Sequence, residues 1–257
     1  MTKLQIGLLL GAALFFSAMY WGLDNRPPNH EQKAKSRSLV AQSTDIRVLL
    51  KEARASIGDN GADVFFLEQQ VQDATVDSIK IGWLKKLSGK WYELRHPEIA
   101  GHYASQVAEL VNEAEAWAIT GTTYALCIQQ TKEQKVRDFC TSKAVEAFES
   151  AISLDPNEIS HRINLAMCYT KNPPSDNPMK GVLMLVDLNK RYPDNASILT
   201  KLGELAIQTG QFEKAKERLE RALEIQPSPT VHCLLIQVYR QLGDKQKEAF
   251  HQEACSG

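Results

Sequence analysis

The chain has 257 residues, of which 43% are hydrophobic and 24% charged, and its formal net charge at pH 7 is -1. These values are typical of an ordinary globular protein and exclude a disordered or fibrous chain. Because a near-neutral chain lacks the cationic surplus that neutralises phosphates, we expect no nucleic-acid partner.

The amino-terminal part carries one long apolar segment. Leu4 to Leu23 gives 20 consecutive residues without a charge. A helix of this length spans about 30 Å, the thickness of the hydrocarbon core of a membrane. A cleaved signal peptide is the alternative, but Phe16-Ser17-Ala18 does not fit the small-x-small pattern of a cleavage site. The sequence therefore predicts an uncleaved transmembrane anchor over residues 1–24.

A polar segment follows the predicted anchor. Residues 25–43 contain Pro27-Pro28 and mixed charges without apolar periodicity, which predicts a tether. The positive charges of this segment favour a body on the cytoplasmic side of the membrane. Long domains, however, are translocated largely regardless of charge, so the side of the membrane stays open.

Residues 44–113 are predicted to form a helical amino-terminal region without strands. A first helix begins after Asp45 as its cap, a second follows to Val71, and a third runs from about Val76 to Leu94. The third helix carries an apolar face opposite a lysine-rich face. We favour packing of its apolar face on neighbouring helices, and a helix that lies on an anionic membrane surface is the alternative.

Residues 195–227 decide the fold class. Small residues recur where two antiparallel helices must approach closely, and large apolar residues fill the gaps between them. The positions are Leu202, Gly203, Ala206, Gly210, Phe212, Ala215, Leu219, Ala222 and Pro227. This spacing resembles the tetratricopeptide repeat. Because one such repeat cannot bury its apolar face alone, stacked neighbours are expected.

Three further helix pairs resemble the same repeat. The first contains Trp117, Gly121 and Tyr124 and is eleven residues longer, which predicts longer helical arms. The second runs from Ile159 to Pro193, and the last begins near Pro229 and ends in a short polar helix that would cap the stack. The sequence thus predicts an all-α protein with a right-handed solenoid of about four repeats over residues 114–257.

The resemblance implies a concave groove, lined by the first helix of each repeat, that binds a segment of a partner protein. Projected onto this chain, the groove residues are Ala118, Thr122, Leu126, Ile163, Met167, Lys171, Thr200, Glu204, Gln208, Cys233, Gln237 and Arg240. Family members that hold acidic chaperone tails use a clamp of Lys, Asn and Arg in these helices. Ala118 and Thr122 stand where Lys and Asn are needed, so this clamp is not expected, although Asn164 matches its second-helix Asn.

The sequence gives no sign of catalysis. The six histidines form no HExxH motif, and Cys-x-x-Cys, Gly-x-Ser-x-Gly and phosphate-binding loops are absent. We therefore expect no enzyme activity, metal, cofactor or small-molecule substrate. An enzyme site within residues 44–113 would require a deep polar pocket there.

Five cysteines are an odd number, and apolar cysteines in helical repeats are most often free buried thiols. Free thiols are therefore our default expectation, and they favour a reducing compartment. A Cys127–Cys140 bridge near the tip of the first hairpin is the alternative, and it would favour an oxidising one.

The order of anchor, tether and repeats looks like that of bacterial membrane-anchored tetratricopeptide proteins, including those that assist cytochrome c maturation. This resemblance implies a single-pass protein of the bacterial inner membrane. We expect a membrane-tethered scaffold that binds a partner protein or peptide in its groove. The alternative is a periplasmic assembly factor or chaperone that holds membrane or secreted clients.

Overall fold

A computed structural model describes residues 45–58 and 61–256, and this part of the chain forms twelve α-helices and no strand. They are α1 (Ile46–Ser56), α2 (Gly61–Asp73), α3 (Asp77–Glu93), α4 (Pro97–Val111), α5 (Ala114–Gln130), α6 (Gln134–Leu154), α7 (Ile159–Lys171), α8 (Lys180–Arg191), α9 (Ala196–Gln208), α10 (Phe212–Ile225), α11 (Pro229–Leu242) and α12 (Lys245–Ser256). The predicted anchor, Leu4 to Leu23, and the tether over residues 25–43 lie outside the described residues. None of the twelve helices is long and apolar enough to span a bilayer.

The helices stack as a series of antiparallel hairpins. Each helix from α2 onward packs on its neighbours in the chain, and α5, α7, α9 and α11 also contact one another in sequence. This arrangement confirms the all-helical class. It also adds α3 and α4, which the sequence placed in a separate amino-terminal region, to the same continuous stack.

Local signals fix where several helices begin and end. The side chain of Asp45 accepts a hydrogen bond from the backbone N–H of Arg47, and that of Asn195 accepts one from Ile198 at 3.1 Å. Gly210 and Gly243, at φ values of 71° and 78°, adopt the left-handed conformation that ends a helix. The caps predicted at Asp45 and Asn195 are therefore confirmed.

Glycine allows close approach within two of the hairpins. A Cβ atom on Gly181 of α8 would lie 2.4 Å from the carbonyl oxygen of Ala166 in α7. A Cβ on Gly203 of α9 would lie 2.6 Å from the side chain of Leu219 in α10. The side chain of Leu219 therefore fills the space above this glycine.

The first repeat hairpin has the long arms that the sequence predicts. Helices α5 and α6 contain 17 and 21 residues, whereas α9 and α10 contain 13 and 14. Both arms share the additional residues. The two longer helices therefore pack on each other as those of the shorter hairpins do, and Gly121 of α5 lies against the ring of Phe148 in α6.

The apolar side of α3 is turned toward the body. Leu84, Leu87 and Trp91 are fully buried in a cluster with residues of α1, α2 and α4. On the solvated side, the ammonium group of Lys90 lies 2.7 Å from a carboxylate oxygen of Asp63. The favoured interpretation of this helix, packing on its neighbours, is confirmed.

Two disulfides cross-link helices within hairpins. Cys127 and Cys140 face each other near the tip of α5 and α6, with their Cα atoms 6.1 Å apart. A second bridge joins Cys233 of α11 to Cys255 of α12, with Cα atoms 5.0 Å apart. Cys168 is free and buried. The expectation of free thiols is therefore wrong for four of the five cysteines, because the antiparallel arms bring each pair within bonding distance.

Candidate partner-binding groove

The predicted groove residues meet at one cavity between α5, α7 and α9. This central cavity has a volume of about 170 Å³. Four predicted groove residues line it, Thr122 and Leu126 from α5 and Met167 and Lys171 from α7. Three successive first helices of the hairpins contribute to it, because Lys201 of α9 closes its far side.

The central cavity combines an apolar floor with a cationic rim. Leu126, Met167 and Phe148 supply the apolar surface. Lys171 is exposed and has no carboxylate partner within the described part of the chain, whereas the Lys201 ammonium lies 2.8 Å from Glu204. Such a cavity can hold an aliphatic or aromatic side chain and attract an adjacent carboxylate.

Asn164 and Lys171 lie together on α7 at this cavity. The expected clamp positions, Ala118 and Thr122, carry no charge. Lys201, which comes from the following repeat, contributes a charge instead. The cavity therefore has a polar rim of a different composition from the clamp.

Ile163 corrects the predicted groove. Its side chain is only 5% exposed and packs in a core cluster with Leu185 and Leu202. The helical phase explains the error, because α7 turns this position toward α8 and α9. Cys233 also has no free thiol to offer in the groove, because it is bonded to Cys255.

The remaining predicted residues lie outside the central cavity. Ala118, Thr200 and Glu204 are half-buried, and Gln208, Gln237 and Arg240 are exposed. Arg240 is held by Glu248 of α12 at 2.8 Å. The structure therefore brings together four predicted groove residues of the first two repeats at the central cavity. It leaves the carboxyl-terminal part of the predicted groove as an open surface.

A larger groove, which the sequence did not reveal, flanks α5 on its other side. This amino-terminal groove measures about 540 Å³ and lies between α3, α4 and α5. Val107 and Val111 form its base, and the exposed side chains of Tyr92 and Ile119 stand at its edge. The small residues of α4 were the available signal, because a Cβ on Gly101 would lie 2.8 Å from a side chain of α5, a close approach like those in the later repeats.

One polar cluster in the amino-terminal region has the elements of an acid–base site. The imidazole of His96 lies 3.1 Å from the hydroxyl of Ser56 through Nε2 and 2.8 Å from Glu98 through Nδ1. The Ser56 hydroxyl also lies within hydrogen-bonding distance of the carbonyl oxygen of Ala53, at 2.8 Å. The cluster ties the end of α1 to the start of α4.

A second polar cluster joins the last two helices. The Nδ1 atoms of His232 and His251 lie 2.7 Å apart, and the ring of Tyr239 stacks on His251. Burial, followed by the nearby charge of His232, lowers the pKa of His251 below its ordinary value. Across the described residues, no group of three or more His, Cys, Asp or Glu side chains is arranged to hold a metal ion.

The stacked hairpins and their shared groove define a helical-repeat protein, a class that presents extended surfaces to other chains. Residues 183–243 match the family model described as tetratricopeptide repeat, and this segment therefore contains tetratricopeptide repeats. It spans α9, α10 and α11 together with most of α8.

Solved structures of similar fold include two bacterial proteins. A thermophilic tetratricopeptide repeat protein of Thermus thermophilus is 16% identical over 76% of this chain and 96% of its own, with a TM-score of 0.49. MamA of Desulfovibrio magneticus is 18% identical over 68% of this chain and 93% of its own, with a TM-score of 0.43. A search of curated proteins gives no match.

Proposed function

We propose that this protein is a membrane-tethered adaptor that binds an extended segment of a partner protein along the concave side of its helical repeats. One observation carries the proposal. Side chains from three successive first helices, α5, α7 and α9, meet at the central cavity. A surface assembled from successive repeats suits a chain segment that runs across them.

The chemistry of the central cavity suggests which segment it accepts. Met167 and Leu126 offer an adaptable apolar surface, and Lys171 leaves an unpaired ammonium at the rim. We infer a segment with a buried apolar side chain next to an aspartate, a glutamate or a terminal carboxylate. The amino-terminal groove, with its apolar base, would hold a further apolar part of the same segment.

The two disulfides bear on the compartment. Disulfides persist in oxidising spaces and are rare in the bacterial cytosol. We therefore propose that Leu4 to Leu23 anchors the protein in a bacterial inner membrane, with residues 44–257 on the oxidising, periplasmic side. The resemblance to membrane-anchored repeat proteins supports the same arrangement.

Crosslinking of the full chain in its own membrane tests the adaptor function. Met167→Arg places a charged side chain in the apolar floor, and Lys171→Glu reverses the charge of the rim. Both should reduce partner recovery at least tenfold while thermal unfolding stays nearly unchanged, since exposed and half-exposed substitutions usually shift stability by about 0.5 kcal/mol. Lys190→Glu and Glu217→Lys, at exposed positions on second helices, are the matched controls.

The set of recovered proteins separates the adaptor from a chaperone. An adaptor should recover one partner or one complex, whereas a chaperone should recover many unrelated exported clients. Equal loss of binding in the control variants would contradict the groove assignment. For the anchor, the mature protein should begin at Met1 or Thr2, and a mature terminus near Asn25 would show a cleaved signal instead.

A further inference from the structure

The amino-terminal end of the helical stack exposes a cluster of large apolar side chains. Phe65 and Phe66 of α2, Val76 just before α3 and Ile79 of α3 are 51–57% exposed. The ring of Trp83 joins them, since it meets Phe66 edge-on with the ring centroids 6.2 Å apart. These five residues form the terminal apolar patch.

The patch is continuous along α3. Val76, Ile79, Trp83 and Lys86 follow one another at spacings of three, four and three residues, which places them on one helical face. Among the described helices, α2 packs mainly on α3, and Arg54 of α1 pairs with its Glu68. The patch therefore lies at the amino-terminal end of the described stack.

The two ends of the stack differ in a way that indicates a missing cover. Repeat stacks need a polar outer face on their terminal helices to stay soluble. Helix α12 surrounds its exposed Phe250 with Lys, Gln and Glu residues, whereas α2 and α3 expose several large apolar side chains beside one another. An exposed aromatic cluster of this kind marks a surface that another body covers.

The charges around the patch favour an anionic surface as the cover. The Lys86 ammonium lies 4.2 Å from the centroid of the Trp83 ring. Lys80 has no carboxylate partner among the described residues, whereas Lys90 is paired with Asp63. Lysines beside aromatic side chains match the boundary between lipid headgroups and acyl chains.

The acidic groups of the same helices do not oppose this arrangement. Asp73 accepts two hydrogen bonds from Gln69, and the Glu68 carboxylate is buried against Arg54. Asp77 and Glu93 stand at the two ends of α3, away from its centre. The middle of the patch is therefore cationic and apolar.

We propose that the terminal apolar patch lies on the surface of an anionic lipid bilayer, with its aromatic rings at the headgroup boundary and Lys80 and Lys86 near lipid phosphates. The proposal rests in part on the proposed membrane tether. About twenty residues separate Leu23 from Asp45, and they reach at most about 70 Å when extended. A tether of this length would keep the patch within reach of the membrane that holds the anchor.

The fluorescence of Trp83 gives a direct test. Full-length protein carrying Trp21→Phe is reconstituted into vesicles with brominated acyl chains, made of phosphatidylcholine alone or with one third phosphatidylglycerol. A second protein carries Trp83→Phe in addition, and the difference between the two isolates the Trp83 signal. We expect bromine to quench Trp83 in the anionic vesicles and much less in the neutral ones.

Variants identify the groups responsible. Phe66→Glu with Ile79→Glu should abolish the quenching. Lys80→Gln with Lys86→Gln should lower the ratio of docked to undocked protein by about fivefold per lysine. Leu183→Glu, at an equally exposed leucine of α8, is the matched control and should change nothing. Absence of quenching in anionic vesicles, or equal quenching in the control and patch variants, would overturn the proposal.

Two other covers give different results. Shielding of Trp83 from acrylamide in detergent that grows with protein concentration would identify a second copy of the chain and overturn the proposal. Shielding that is independent of concentration would identify the chain's own amino-terminal segment, with the same consequence. If the protein fails to float with neutral vesicles, only the proposed membrane tether is wrong. Quenching by anionic vesicles and partner binding in the groove are measured separately, so that result does not decide the other two proposals.

Discussion

Replacement of Gly181 by alanine tests the packing of the central hairpin most sharply. The added Cβ atom would lie 2.4 Å from the carbonyl oxygen of Ala166 and 2.6 Å from the backbone nitrogen of Thr170. Both atoms belong to the backbone of α7, so no side-chain rotation can relieve the contact. The helices α7 and α8 must therefore move apart and lose contacts in the surrounding core.

The expected magnitude follows from two opposing effects. Overpacking of a close contact costs about 1–3 kcal/mol, and a backbone clash should fall at the upper end. Alanine returns about 1 kcal/mol through its higher helix propensity. Gly181→Ala should therefore lower stability by about 2 kcal/mol. Gly89→Ala in α3, where nothing lies within 4 Å of the added atom, should raise it by about 1 kcal/mol.

Thermal unfolding of the full chain in detergent, followed by far-ultraviolet circular dichroism, measures the difference. About 3 kcal/mol between the two variants corresponds to about 6–12 °C in Tm for a domain of this size. Gly89 lies inside α3, whereas Gly181 is the second residue of α8, so the propensity gain at Gly181 is at most that at Gly89 and the clash dominates the difference. Equal Tm values would refute the close approach of α7 and α8 at this glycine.

The remaining predictions concern titration and thiols. Burial lowers the pKa of His251 below its ordinary value of 6.5, so the unfolded chain binds more protons than the folded one just below that pH. Stability should therefore fall as the pH drops below about 6.5. Urea midpoints measured across this pH range should depend less on pH in His251→Gln. Loss of the Cys127–Cys140 bridge by double alanine replacement should reduce stability by about 3 kcal/mol in urea titrations, given a separation of 13 residues. Burial raises the pKa of Cys168 to about 12, so mass spectrometry after alkylation in intact cells should find this thiol unmodified and both linked peptides present; an alkylated Cys140 would contradict the bridge.

The helical hairpins were predictable because their sequence signals are local. Within a single repeat, Gly203 allows the two helices to approach closely, Leu219 fills the space between them and Gly210 ends the first helix. No distant contact is needed for these three roles. The lengths of α5 and α6 followed from the spacing between Tyr124 and Ala144 for the same reason.

The groove was predictable only in part because it depends on helix rotation. Repeat spacing placed Met167, Lys171 and Ile163 in the groove; the first two line the central cavity, whereas Ile163 is buried in the core. A rotation of α7 by a fraction of a turn decides between core and surface, and it is set by α8 and α9. The rim contribution of Lys201 was missed because it crosses from one repeat to the next.

Two features required three-dimensional pairing and could not be predicted from spacing alone. The Cys233–Cys255 bridge depends on the register of α11 against α12 after the turn at Gly243. The amino-terminal groove depends on α3 and α4 forming another hairpin of the stack, and small residues of α4 such as Gly101 do not by themselves specify which helices they meet. Both arise from contacts rather than from spacing.

The two disulfides also determine where the stack can yield under tension. Each bridge closes a loop inside one hairpin, α5–α6 or α11–α12, and a closed loop cannot lengthen beyond its cross-link. The hairpins α7–α8 and α9–α10 lie between them, and their described residues carry no cross-link. Stretching would therefore be taken up by these two hairpins and by α1–α4, which also carry no cross-link, and not by the closed loops. A segment seated across α5, α7 and α9 would brace the central hairpins, so the protein would extend less under tension with that segment bound than without it.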